Sequence, residues 1–173
     1  MICQKTKLAL QQLFPALEHS GAPIEAAGEE KEQKAPAEPR TNGLVERDYA
    51  VHGYHLDAQV APDQLLDAVA IVDTAEFFIE SITGVDWIKD GQLEVVYDFC
   101  RYDFDLCRVV IRTRVDRNKP EVPSITGIYA GANWHERETH EFFGIKFTGH
   151  PYLVPLLLPE DADFHPLLKD FKA

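Results

Sequence analysis

The chain has 173 residues, a hydrophobic share of 45% and a formal net charge of −12. That length suits one domain with a core of its own, and the acidic balance argues against a face for nucleic acid or anionic lipid. No window approaches the roughly 18 apolar residues that a membrane-crossing helix needs, and Cys3, Cys100 and Cys107 lack the close spacing of a zinc or iron–sulfur ligand set, so they read as reduced thiols of a cytosolic compartment.

At the N-terminus Leu8, Leu10, Leu13 and Leu17, with Lys5 and Lys7 between them, predict a short amphipathic helix. A targeting peptide is the alternative, disfavoured by the lack of arginine and of a cleavage-like site. Residues 25–40 are Glu, Lys, Ala and Pro with almost nothing to bury, and read as a flexible linker. From Leu44 onward Val45, Tyr49, Val51, Tyr54, Leu56 and Val60 predict one or two strands. Pro62 and Asp63 open a helix whose Leu65, Leu66, Val69 and Val72 share a face. Thr74 is placed as the cap of a second helix that carries Phe77, Phe78 and Ile82 and ends near Gly84.

Leu93, Val95, Tyr97 and Phe99 alternate, as do Cys107, Val109, Ile111, Thr113 and Val115 against Arg108, Arg112 and Arg114. A period of two predicts a pair of antiparallel strands joined through residues 101–105, one face buried and the other basic. The basic face reads as a solvated sheet face, or as a docking face. Cys100 and Cys107 fall in these strands and read as two buried small residues.

Beyond Pro120 and Pro123, Ser124 is placed to cap a turn. Asn133 is then positioned to cap an acidic helix, with Glu136 as the second half of a capping box. Glu136 and Glu138 fall in the first turns, where the helix dipole favours them, and Arg137 and Glu141 stand one turn apart and are placed to pair. Phe142 and Phe143 supply burial, Gly144 stops the helix, residues 145–147 read as a short strand, and Gly149-His150-Pro151 forms a second turn.

The rest is rich in proline and leucine at once: Pro151, Leu153, Pro155, Leu156, Leu157, Leu158, Pro159, Pro166, Leu167 and Leu168. Prolines this dense forbid a helix or central strand, so an extended segment must bury its leucines against a neighbouring subunit or against its own domain.

Little here points to catalysis. His135-Glu136 and His140-Glu141 suggest a zinc hydrolase helix, but histidines five apart lie about 140° apart around it, where metal-binding pairs stand four apart. The sequence carries no dinucleotide fingerprint, P-loop or nucleophile elbow. Its seven histidines are dispersed, and Glu136, Glu138 and Glu141 read as a solvated or partner-paired face before they read as a proton relay.

Ala132-Asn133-Trp134, Glu136-Arg137-Glu138, Glu141, Phe143-Gly144-Ile145, Phe147, Gly149-His150-Pro151 and the run from Leu156 to Asp161 through Pro159 resemble the signature of the thirty-kilodalton subunit of respiratory complex I. The flanks from Ile82 to Asp86 and from Pro166 to Phe171 fall in the family's order, and the likeness spans roughly residues 44–171.

The resemblance implies an α+β fold with a small mixed or antiparallel sheet packed with helices. Its divisions would be an N-terminal helix and linker over 1–43, a scaffold over 44–149 and an extended docking segment over 150–173. It implies a non-catalytic subunit of the hydrophilic arm of a proton-pumping NADH:quinone oxidoreductase, on the cytoplasmic side of a bacterial inner membrane. No cofactor or metal is expected in this chain; NADH, FMN, iron–sulfur clusters and quinone belong to partner subunits. The chief partner would be the large quinone-site subunit, which resembles hydrogenase large subunits, with the tail running over it.

By the same resemblance Trp134, Glu136, Arg137, Glu138, Glu141, Phe143, Gly144, His150, Pro151, Leu156 and Pro159 shape and dock the motif. Val154-Pro155 stands where the family usually has a basic pair and Leu168 where it has an arginine, while Thr139, His140 and Phe142 also depart from the pattern. These departures leave room for the equivalent subunit of an energy-converting hydrogenase, with nickel–iron in a partner, or of a formate hydrogenlyase.

Overall fold

The computed structural model describes residues 2–14, 41–103 and 106–172; the expected linker lies outside these residues. Helix α1 is Ile2–Gln11. Strand β1 (Gly43–Glu46), the single-turn helix α2 (Tyr49–His52) and strand β2 (Leu56–Val60) follow, so Tyr49 and Val51, read from sequence as strand residues, sit on a helical turn. A 3₁₀ turn at Pro62–Gln64 leads into helix α3 (Leu65–Thr74). Three ten-residue strands come next, β3 (Phe78–Trp87), β4 (Gln92–Arg101) and β5 (Cys107–Asp116). Strand β6 (Glu121–Pro123), helix α4 (Ala132–Phe143) and strand β7 (Lys146–Thr148) complete the order.

The main sheet runs β1-β2-β5-β4-β3, antiparallel throughout except for the parallel pair β2–β5, and β6 and β7 form a second, parallel pair. The alternation read from sequence fixes its two faces. Register aligns Phe99 with Val109 and Val109 with Leu56, and likewise Tyr97 with Ile111 and Ile111 with Ala58. These rows of apolar side chains line one face, where Leu65, Ala68, Val69 and Val72 of α3, Leu10 of α1 and Ala132 of α4 join the same core. At about 25 cal/mol per Å² of apolar surface, burial of these rows is the main stabilising term.

The second helix expected over residues 74–84 is instead strand β3. Thr74 donates its hydroxyl back to the carbonyl of Ala70 and so ends α3 rather than capping a new helix. Glu76 follows with a φ of 61°, which turns the chain out of helical geometry. In the strand Ile82, Gly84 and Asp86 face the core, opposite Tyr97, Val95 and Leu93. The alternation was masked by a bulge between Ile79 and Ser81, which breaks the period of two.

The opposite sheet face carries the arginines, and it is not a free basic surface. Nε of Arg112 donates to Asp57 at 2.8 Å, Nε of Arg114 donates to Glu94 at 3.1 Å, and Arg108 pairs with Glu80. Trp87 donates its indole N–H to Glu94 at 3.1 Å, and Arg114 lies 4.6 Å from the Trp87 ring. Carboxylates on β2 and β4, which flank β5, and on β3 beyond β4 thus neutralise these arginines. The register pairs Cys100 with Arg108 and Arg101 with Cys107, so the two buried cysteines point to opposite faces and do not meet. No helix among the described residues is long and apolar enough to cross a membrane.

Candidate functional site

Helix α4 lies against β3 so closely that a Cβ at Gly84 would stand 2.4 Å from the Phe143 ring. At its C-terminal end Gly144, with φ 73°, donates its N–H to the carbonyl of His140 at 2.8 Å. A left-handed residue in that place stops the helix, as the sequence predicts. A side chain there would also strike the imidazole of His165, which packs over Gly144.

The N-terminus departs from expectation. The cap position is Gly131, without a side-chain hydrogen bond, so the Asn133–Glu136 capping box does not form. Glu136 is fully buried and turns inward, where it accepts from the Ser124 hydroxyl at 2.6 Å and the Ile125 N–H at 2.7 Å. Ser124 caps its own turn, accepting from the N–H of Thr126 at 3.2 Å. Burial pushes the Glu136 carboxyl up to about 7, against the opposing pull of these two hydrogen bonds. Burial first, and the neighbouring Glu136 second, also raise the phenol of Tyr97, whose buried hydroxyl has no partner among the described residues.

Arg137 and Glu141 do not pair with each other. Arg137 donates through Nε to the carbonyl of Val154 and through Nη2 to that of Pro155, both at 2.9 Å. The buried Glu141 carboxylate accepts the N–H groups of Leu156, Leu157 and Leu158 at 2.8–3.0 Å. One helix turn therefore grips five consecutive residues of the tail, carbonyls at one end and amides at the other. The reason is a requirement for hydrogen bonds: a proline-broken segment cannot enter a ladder, so side chains satisfy its backbone. A carboxylate cradled by successive amides is also a favourable electrostatic arrangement.

Three histidines brace the same region. His165 donates from Nδ1 to the carbonyl of Glu141 at 2.8 Å, and His140 donates from Nδ1 to that of Ile145 at 2.9 Å. The amide of Tyr152 donates to Nδ1 of His150, so the proton of the neutral ring sits on Nε2, which faces the carbonyl of Asn133 at 3.3 Å. Burial holds the His150 pKa below its usual value. With Glu136, His140 and Glu141 all engaged in structural bonds, the histidines and glutamates of α4 do not converge on a metal, and no metal-holding cluster occurs among the described residues.

A second anchor escaped the sequence reading. The buried Asp86 accepts from Arg117 through Nε at 3.1 Å and Nη2 at 3.2 Å, and from the amide of Lys169 at 2.9 Å. Arg117 also reaches Asp170. The available signal was a carboxylate on the apolar face of a strand, which needs a partner to be buried.

The tail buries part of its apolar surface against its own domain and leaves part exposed. Leu153 and Leu168 pack against the core, and Leu156 is half-buried. Tyr152 (62% exposed), Leu157 (65%) and Leu167 (53%) point outward, as does Trp134 of α4 (60%), and Phe164 stacks on Phe171. Glu138, Pro151 and Pro159 are exposed as well.

The family model described as the respiratory-chain NADH dehydrogenase 30 kDa subunit matches residues 58–173. A subunit of NADH-quinone oxidoreductase from Roseiflexus sp. (strain RS-1) is 42% identical over 120 residues, covering 66% of this chain and 68% of the relative. A subunit of F(420)H(2) dehydrogenase from Methanosarcina mazei is 42% identical over 93 residues, covering 53% of this chain and 58% of the relative. Among solved structures, a chain of the archaeal membrane-bound sulfane sulfur reductase is similar with a TM-score of 0.61 at 30% identity, covering 68% of this chain and 71% of its own. The trypsin-resistant fragment of Nqo5 is similar with a TM-score of 0.55 at 26% identity, covering 64% of this chain and 89% of its own. Helix, grip and sheet all lie mainly within the matched residues, and the chain belongs to the family of the respiratory-chain NADH dehydrogenase 30 kDa subunit.

Proposed function

We propose that this chain is a cofactor-free structural subunit in the hydrophilic arm of an NADH:quinone oxidoreductase, where it docks the large subunit that forms the quinone site. The observation that carries this reading is the tail. Its backbone is bonded internally by Arg137 and Glu141, while Tyr152, Leu157 and Leu167 face outward. A segment with its own hydrogen bonds satisfied and its apolar side chains exposed is suited to being covered by another protein. NADH, FMN, iron–sulfur clusters and quinone would reside in the partner subunits, and the chain would be peripheral to the cytoplasmic face of a bacterial inner membrane.

A second reading keeps the scaffold and changes the assembly, to a complex with another electron donor or acceptor. The likeness to F(420)H(2) dehydrogenase and sulfane sulfur reductase chains favours this second reading. It extends to energy-converting hydrogenases, where the large subunit carries nickel–iron.

Purification of the tagged chain from gently solubilised membranes, followed by mass spectrometry, tests both. Recovery of a quinone-site large subunit together with NADH- and flavin-binding subunits is the expected outcome. A large subunit without the NADH-binding subunits would move the chain to the second reading, and a chain recovered alone would overturn the scaffold role.

A further inference from the structure

The described arginines of this acidic chain are paired almost throughout. Arg47, Arg101, Arg108, Arg112, Arg114 and Arg117 each have a carboxylate within 4.0 Å. Arg137 is the exception among the described arginines, since its polar partners are the neutral carbonyls of Val154 and Pro155. Those carbonyls hold the guanidinium in place, and no ion pair to a described carboxylate joins them. Nη1 makes no bond among the described residues, and Arg137 is only half-buried, so this edge is open to a further bond.

The surroundings are equally specific. The guanidinium carbon lies 5.4 Å from the centre of the Trp134 ring and 5.5 Å from that of Tyr152. Both rings are mostly exposed. A fixed cation between two exposed aromatic rings combines the three residue types that dominate binding energy at protein interfaces. The field of Arg137 is felt locally, for it contributes, after burial, to holding the pKa of His150 down.

We propose that Trp134, Arg137 and Tyr152 form the anchor for an aspartate or glutamate side chain of a partner polypeptide, which the open Nη1 edge of Arg137 receives between the two rings. This deepens the docking reading and rests on it. A planar guanidinium fork matches a carboxylate, and covering the rings removes water from the pair and strengthens it. A net charge of −12 weighs against an anionic bilayer as the occupant.

The test uses the complex recovered on the tagged chain and the same chain purified alone. Both are treated with phenylglyoxal, which modifies accessible arginines, and read by peptide mass spectrometry. Arg137 is expected to react at least an order of magnitude more slowly in the complex, while Arg112, held by Asp57, is shielded in both. In a complex carrying Arg137→Lys, a zero-length carbodiimide is expected to join the introduced amine to an acidic residue of a partner. An assembled complex in which Arg137 reacts as fast as in the free chain, with no such cross-link, overturns the anchor and leaves docking intact. Shielding that appears only on adding vesicles of anionic phospholipid overturns it in favour of a membrane. A chain that recovers no partner at all removes the docking reading and the anchor together.

Discussion

Gly84 on β3 and Phe143 on α4 are in contact at a distance no side chain could share, since a Cβ on the glycine would fall 2.4 Å from the ring. The glycine is there for the helix, and the strand tolerates it at some loss of its own stability. Gly84→Ala is therefore expected to destabilise the fold by about 1–3 kcal/mol, by pushing α4 off the sheet. Chemical denaturation of the variant checks this. A companion Gly84→Ala, Phe143→Leu variant should recover part of the loss, and failure to do so would place the strain elsewhere.

Glu141 satisfies three amides that no ladder reaches. Glu141→Ala should leave them without acceptors, and a buried donor left unsatisfied costs about 1–3 kcal/mol. The sheet is expected to stay folded while residues 154–158 open. Limited proteolysis should then cut the variant in that segment under conditions where the native chain resists, and unchanged cleavage would mean that Arg137 alone suffices to hold it.

Glu136 predicts a dependence on pH. Its carboxyl rises from 4.5 to about 7 on folding, so between those values the native state binds more protons than the unfolded chain. Stability contributed by this group is then fully present below pH 4.5, falls as pH rises and is lost above about 7. Glu136→Gln keeps an acceptor for the Ile125 amide and carries no charge, so it should abolish this component of the decline. Unfolding free energies of both proteins from pH 4.5 to 8 give the comparison. Parallel curves would show that the carboxyl is ionised without penalty.

What could be read in advance depended on how local the cause was. The alternation of β4 and β5 follows from side chains two apart, and the end of α4 from a single glycine, so both were legible. The roles of Glu136 and Glu141 were not, because their partners lie 11 to 17 positions away and, the Ser124 hydroxyl apart, are main-chain groups with no signature of their own. A pairing of Arg137 with Glu141 was the local expectation, and the tail displaced it with hydrogen bonds that the helix surface cannot offer. For β3 a single bulged residue was enough to make a strand resemble a helix. The sheet arginines were visible as a basic row, but their neutralisation depended on the registers of β5 with β2 and β4 and of β4 with β3.

The parallel pairing of β2 with β5 joins Leu56 to Val109 across the whole of α3, β3 and β4. Closing so long a loop is entropically costly, so the hairpins β3–β4 and β4–β5 form more readily than the contact at the centre of the sheet. During synthesis β2 leaves the ribosome early and waits with β1 on one side and nothing on the other, while β5, once made, offers an open edge until β2 arrives. The interval in which that edge is uncovered is where this chain is most exposed to association with another copy of itself, and mutations that slow the docking of β2 will be felt first as lost yield rather than as a weakened final structure.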